Sequence, residues 1–263
     1  MPRKKAEAQT ITQPNNYWLS ILLTIIFFFI VGAVIHKNLY HGNVKPSIEV
    51  PANNIQTELP ANTESKQPDP KPAPLPNKFS LVVPFTPQAP TANWDELHNE
   101  ACEEASSIIV NSFFEGLTTL PPKLVEEEIY KLTNWQTKNY GYSLSIDTEE
   151  TAHMIDQVYG LKTEVVDISE ESIKQALLDN KLIIYAANGQ LLKNPYFKPP
   201  GPIYHMLVIT GWNEDKFITN DPGTKRGLNY QYTYDTLYNA SGNWSHSLHQ
   251  VDLGDKKIII VTK

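Results

Sequence analysis

VPFTPQAPTANWDELHNEACEEAS, residues 83–106, decides how this chain reads. It contains the only cysteine of the 263 residues, Cys102, at the start of the segment ACEEASSIIVNSFF, where Ala, Ile, Val and Phe recur at helical spacing over residues 101–115. A thiol at a helix N-terminus faces unpaired amides and the positive end of the helix dipole, which favour its thiolate. Glu103 and Glu104 suit a helix start but act the other way on the thiol, so a reactive Cys102 needs a cationic partner. The alternative is a buried cysteine that behaves as a small hydrophobe.

Working outward, residues 79–263 read as an α+β body. FSLVVPF (79–85) looks like a short strand ended by proline, and residues 123–139 and 148–159 like amphipathic helices with acidic first turns. Ser169 is placed to cap a helix that ends near Asn180. The pattern then changes to strands at 182–187, 205–212, 216–220 and 258–262, punctuated by Gly211, Pro222-Gly223 and Gly227. Helices first and strands second predict a helical lobe against a mostly antiparallel sheet.

Three further residues stand where chemistry is possible. His205 follows the rigid loop NPYFKPPGPIY and opens the strand HMLVITGW; taken alone it also reads as a satisfied core histidine. The next strand, KFITNDPG, ends at Asp221, which a hairpin brings near His205, where it orients the imidazole and favours its charged form. Asp-Pro-Gly is equally an ordinary turn sequence. Gln88 lies fourteen residues before Cys102; its amide can face an oxyanion or simply the solvent.

Three stretches, residues 83–106, YHMLVITGW (204–212) and FITNDPG (217–223), together resemble a papain-like cysteine peptidase, and more closely the bacteriocin-leader-processing (double-glycine) peptidases and their stand-alone relatives. The resemblance implies a helical lobe whose N-terminal helix carries the nucleophile, packed on an antiparallel sheet. It implies Cys102 as nucleophile, His205 as base and acid, Asp221 as its orienter and Gln88 as oxyanion donor, in hydrolysis of peptide or isopeptide bonds without metal or organic cofactor. Many such relatives have Cys-Gly-Pro or Cys-Ala-Pro where this chain has Cys102-Glu103-Glu104. No transporter domain accompanies the body, so cleavage after paired glycines is not carried over. Two other readings of the same residues are a non-catalytic surface-binding module and a transglutaminase- or amidase-type acyl transferase.

The rest of the chain sets the context. Hydrophobic residues make up 41% and charged residues 19%, which excludes wholesale disorder, and one cysteine excludes an internal disulfide framework. The net charge of −7 argues against a nucleic-acid partner. It divides into +3 over residues 1–78 and −10 over residues 79–263. Residues 1–16 form a basic head with Arg3, Lys4 and Lys5. Residues 17–35, YWLSILLTIIFFFIVGAVI, carry no charge over 19 positions, which nearly spans a ~30 Å hydrocarbon core at about 1.5 Å per residue. The expected anchor leaves the N-terminus in the cytoplasm, inserts in the lipid bilayer and sends the body outside. Val31-Gly32-Ala33 also resembles a signal-peptidase site, and cleavage there would release the body. Residues 36–78 hold eight prolines and read as an extended linker. No metal site is expected: His98 and Cys102, four apart, lack a second paired motif, and His246 and His249 in NWSHSLHQ read as loop residues. The acidic runs 126–128 and 170–171 read as helix starts, and Tyr230, Tyr232, Tyr234 and Tyr238 receive no role.

Overall fold

A computed structural model describes residues 75–263. The basic head, the apolar run 17–35 and residues 36–74 of the linker lie outside the described residues. Among the described residues no helix is long and apolar enough to cross a membrane.

Nine strands and seven helices follow one another in the described part. In chain order they are β1 (Lys78–Ser80), α1 (Glu96–Asn99), α2 (Cys102–Phe114), α3 (Pro122–Tyr140), α4 (Thr148–Tyr159), β2 (Lys162–Asp167), α5 (Glu170–Leu178), β3 (Leu182–Ala187), α6 (Gly189–Leu192), β4 (His205–Asn213), β5 (Lys216–Asn220), β6 (Tyr230–Thr233), α7 (Tyr234–Ala240), β7 (Asn243–Ser245), β8 (Gln250–Asp252) and β9 (Lys257–Thr262). The main sheet is antiparallel throughout, in the order β2-β9-β3-β4-β5-β6. β7 and β8 form a separate hairpin. This is the expected α+β architecture, with the helices that lead in sequence packed on an antiparallel sheet.

The helices start and stop where local chemistry dictates. Asp147 accepts from the Glu150 amide at 2.8 Å while Glu150 reaches back to the Asp147 amide at 3.0 Å, a capping box that begins α4. Ser169 caps α5. Gly141 and Gly160 end α3 and α4 with φ of 86° and 67°, a left-handed turn that glycine adopts without steric cost. α3 starts on Pro122, which shifts the acidic run 126–128 past its first turn, so that turn is not acidic as expected. Glu126 instead faces His98, and Glu128 accepts from Lys131 and Tyr159.

α2 is the central element. Cys102 through Val110 are all buried, on every face. Ile109 and Val110 join the core formed with β3, β4 and β9, while Ile108 joins a second cluster with Val125, Ile129, Leu132, Ile146 and Met154. Each such aliphatic side chain contributes roughly 1.5–3 kcal/mol by leaving water. Ala105, Ser106 and Ser107 keep the helix thin enough to be covered on both sides.

The first strand is shorter than expected. β1 covers only the first two residues of FSLVVPF plus Lys78, and Val82 beyond it is exposed. β1 pairs with the end of β4 that β3 does not reach, Phe79 opposite Trp212. Past Leu81 the chain leaves the sheet and crosses to the end of β5, where Asn220 donates to the carbonyls of Val83 and Pro84. The end of the Pro-rich stretch belongs to the body, because the indole of buried Trp212 donates to the Pro76 carbonyl at 2.9 Å. Close approach at this seam requires Gly211, where an added Cβ would sit 2.4 Å from the Phe79 carbonyl oxygen. Gly211→Ala is expected to lower stability by about 1–3 kcal/mol through this overpacking. The urea midpoint of the purified chain reads this directly, and an unchanged midpoint would show that β1 is not seated as described.

Candidate active site

His205 is the first residue of β4 and is only 1% exposed. Its Nε2 lies 2.8 Å from Oδ1 of Asp221, the residue just beyond β5. The β4–β5 hairpin therefore brings these two together as the sequence predicts. Asp221 is fully buried and saturated with donors. Its Oδ1 also accepts from the Gly223 amide at 3.0 Å; its Oδ2 accepts from the Tyr232 hydroxyl at 2.7 Å and from Asn194 Nδ2 at 3.1 Å. Burial alone would raise its pKa, but the charge and hydrogen bond of His205, with Tyr232 and Gly223, outweigh burial and hold it below the ordinary value. An ionised Asp221 fixes the proton of a neutral His205 on Nε2. That leaves Nδ1 as the basic nitrogen, and it makes no hydrogen bond among the described residues. The ring is wedged in place. Phe197 stands edge-on to it at 5.2 Å, and a Cβ on Gly223 would come within 2.8 Å of both its Cε1 and Phe197.

Cys102 is the first residue of α2, and the backbone amide of Met206, next to His205, points at its sulfur. The structure thus brings Cys102 to the start of β4. Its hydrogen bond, however, goes to Glu103 Oε2 at 3.0 Å and not to His205. The expectation of a lowered thiol pKa is not met. Burial first, then the charge and hydrogen bond of Glu103, push Cys102 well above its ordinary value, and the Met206 amide acts only weakly in the other direction. The helix dipole favours an anion here, but a thiol removed from water beside a carboxyl group loses more than the dipole returns.

Gln88 is buried and joins the elements of the site. Its amide N–H donates to the Pro222 carbonyl at 2.9 Å, and its Nε2 donates to the carbonyls of His98 and Asn99 at 2.8 and 2.9 Å. Both side-chain N–H groups are therefore engaged in holding the segment that leads into α2. An oxyanion role for Gln88 requires one of these bonds to open. The Cys102 amide is one of the N-terminal helix amides that have no intrahelical partner. His98 is fully buried, with Nδ1 2.7 Å from Asp95 Oδ1 and Nε2 3.1 Å from Glu126 Oε1, the latter off the line of a hydrogen bond. It ties α1 to α3 and shares no helix with Cys102, which removes the paired-ligand geometry considered from their spacing.

A cleft of about 1050 Å³ opens beside these residues. Gln88, Trp94, Tyr204 and Trp244 are among the residues that line it, with Phe197 and Gly223, which flank the His205 ring. Cys102 and His205 lie beneath this lining rather than on it.

A family model described as Peptidase_C39 like matches residues 80–251. The chain belongs to the peptidase C39-like family. Among solved structures, one described as a candidate C39-like peptidase from Bacillus anthracis is 14% identical, covering 71% of this chain and 98% of that one, with a TM-score of 0.46. No curated protein matches the chain. Membership of the C39-like family suggests cysteine peptidase chemistry and a peptide or protein substrate.

Two residues that orient the site in this C39-like chain escaped the sequence reading. Asn194 is the first residue of the NPYFKPPGPIY loop, and nothing but that position marks it. Tyr232 is the inward residue of β6 between Gln231 and Thr233; strand alternation puts it on one face with Tyr230 and does not tell the two apart. Among the described residues one group could hold a metal ion, Asp147, Glu150 and His246. Its atoms already serve one another: the two carboxyl groups form the α4 capping box, His246 Nε2 lies 2.8 Å from Glu150 Oε2, and the Tyr142 hydroxyl donates to Glu150. His246 thus joins its loop to the start of α4.

The acidic start of α2 sets a pH dependence. Burial raises Glu103 well above 4.5, with the charge of Glu104 adding to it, and burial raises Glu104 to about 7. Carboxyl groups with folded pKa values above their unfolded ones stabilise the fold fully below about pH 4.5, and that contribution is lost as pH rises through the folded values. Asp221, shifted down, acts oppositely and costs stability only as pH falls below its ordinary value of 3.8. The melting temperature is expected to fall between about pH 5 and pH 8, and Glu104→Gln to flatten that fall. A melting temperature that rises through this range would contradict the burial of the acidic pair.

Proposed function

We propose that the body is a cysteine peptidase of papain-like fold that hydrolyses peptide bonds with Cys102, His205 and Asp221. The observation that carries the proposal is the buried His205–Asp221 pair, 2.8 Å apart, with the sulfur of Cys102 at the amide of the very next residue, Met206. In the reaction the Cys102 S–H bond breaks and its proton passes to His205 Nδ1. The imidazolium that forms is stabilised by the Asp221 carboxylate across Nε2. The sulfur bonds to the substrate carbonyl carbon, and the oxyanion takes the Cys102 amide and, once one of its bonds opens, the Gln88 amide. His205 then gives its proton to the leaving amine, and water, deprotonated by His205, releases the acyl group. The cleft beside Phe197 and Gly223 is the approach for the peptide.

The sequence supports a place for this chemistry as well. The apolar run 17–35 with its basic N-terminal flank supports a membrane anchor with the N-terminus in the cytoplasm, and the Pro-rich linker supports an outward-facing body held off the bilayer. A second reading, a non-catalytic binding domain of the same fold, is favoured by the burial of Cys102 and its bond to Glu103.

Turnover of a peptide library by the purified chain separates the two. Cys102→Ala and His205→Ala are expected to lower kcat/KM by about 10⁴-fold or more, and Asp221→Ala by less, on the order of 10²–10⁴. Circular dichroism should show all three folded. Peptide cleavage that survives in Cys102→Ala would exclude the mechanism.

A further inference from the structure

The mechanism leaves one group beside the sulfur unused. Glu103 follows Cys102 on α2, is 2% exposed, and accepts the thiol hydrogen at 3.0 Å through Oε2. Its other oxygen, Oε1, is buried without a partner. Glu103 makes no ion pair among the described residues; its carboxyl group meets the sulfur and its own backbone amide. A buried carboxyl group placed this way is costly, since an unpaired charge or polar atom in the interior loses its hydration without return. Helix capping does not account for it: a capping carboxylate at a surface helix start stays hydrated, whereas this one lies under the core with the nucleophile.

The groups facing Glu103 are all acidic or neutral. On α2 these are Cys102 and Glu104; in the segment before it, Glu100; before β4, the buried Tyr204, whose hydroxyl has no partner. At the head of α4, Asp147 faces the same Tyr204. His205 is the basic group of the site, and its Nε2 belongs to Asp221. A thiolate on Cys102 would therefore form about 3 Å from a carboxylate, with no cation between them.

We propose that Glu103 holds the proton of the nucleophile, keeping Cys102 as a neutral thiol whose hydrogen is directed away from His205 until Glu103 releases it. One proton lies between sulfur and carboxylate. For attack, that proton passes from sulfur to His205 Nδ1, and the Glu103 carboxylate loses its hydrogen bond and turns away from the sulfur or takes up a proton from solvent. Substrate entering the cleft is what meets the covering residues first. The consequence for catalysis rests on Cys102 being the nucleophile; the hydrogen bond and its effect on the sulfur do not, and are read without turnover.

The single cysteine makes the test direct. The midpoint of thiolate formation is read from ultraviolet absorbance against pH in the full-length chain, with Cys102→Ala as the blank. In Glu103→Gln, which removes the charge but keeps the shape, the midpoint is expected to fall by about one unit or more, as for loss of a neighbouring like charge. Iodoacetamide should then label Cys102 about tenfold faster at neutral pH. Glu104→Gln, whose carboxyl group bonds Gln136 and not the sulfur, should move the midpoint less. A midpoint unmoved in Glu103→Gln, or moved equally by both variants, overturns the proposal. Should Glu103→Gln not fold, carbon-13 spectra of labelled glutamate in the parent and Cys102→Ala chains decide it. Loss of the thiol donor is expected to raise the titration midpoint of one buried carboxyl group, and no change overturns the proposal.

Discussion

Asp221 is a carboxylate with no contact to water, and its four hydrogen bonds come from four separate pieces of chain. His205 opens β4, Gly223 sits in the turn after β5, Tyr232 lies on β6, and Asn194 begins the loop before β4. A buried anion is tolerated only when it is paired and bonded this fully. The site is therefore built around a constraint on charge: the sheet must close in this register, or Asp221 is left uncompensated. The turn itself is tight, since Asp221 N–H bonds the Gly227 carbonyl and no side chain fits at position 227, where a Cβ would meet the Asp221 carbonyl at 1.7 Å. One consequence is chemical. By accepting at Nε2, Asp221 decides which nitrogen of His205 is basic.

The opposite wall of the site carries the opposite tension. α2 presents a thiol and two carboxyl groups at its buried N-terminus, with orphan oxygens on both Glu103 and Glu104. Helix N-termini welcome negative charge, but burial opposes it, and here burial is the larger effect on all three groups. Such groups reduce stability, and proteins keep costly polar groups where chemistry is done. The same helix is held from both sides by aliphatic clusters through Ile108, Ile109 and Val110. Its apolar C-terminal half offsets what its acidic start loses. Gln88 completes the frame by tying the Asp221 turn to the carbonyls that lead into α2.

Much of this was legible from residue order. Period-3.6 and period-2 patterns are local, so α2, α4, β3 and β5 fall where the pattern puts them. The pairing of His205 with Asp221 follows from hairpin geometry, because a short turn places the start of one strand near the end of the next. What the sequence could not tell is how the chain covers these residues. The thiol of Cys102 departs from its expected behaviour because burial, which residue order does not reveal, adds to the charge and hydrogen bond of the adjacent Glu103. The Gln88 amide finds its acceptors on His98 and Asn99, which no spacing rule announces. FSLVVPF has strand composition, yet only its first residues find an edge of β4 to pair with, and Pro84 carries the rest away.

The central claim is that the sulfur beneath the cleft is within reach of a basic His205. Intact-mass spectrometry after incubation with a peptidyl electrophile measures this most directly. The account predicts a single adduct on Cys102 of the folded chain that is lost in His205→Ala. A folded wild-type chain that takes up no adduct, or an adduct that forms equally without the imidazole, would contradict it.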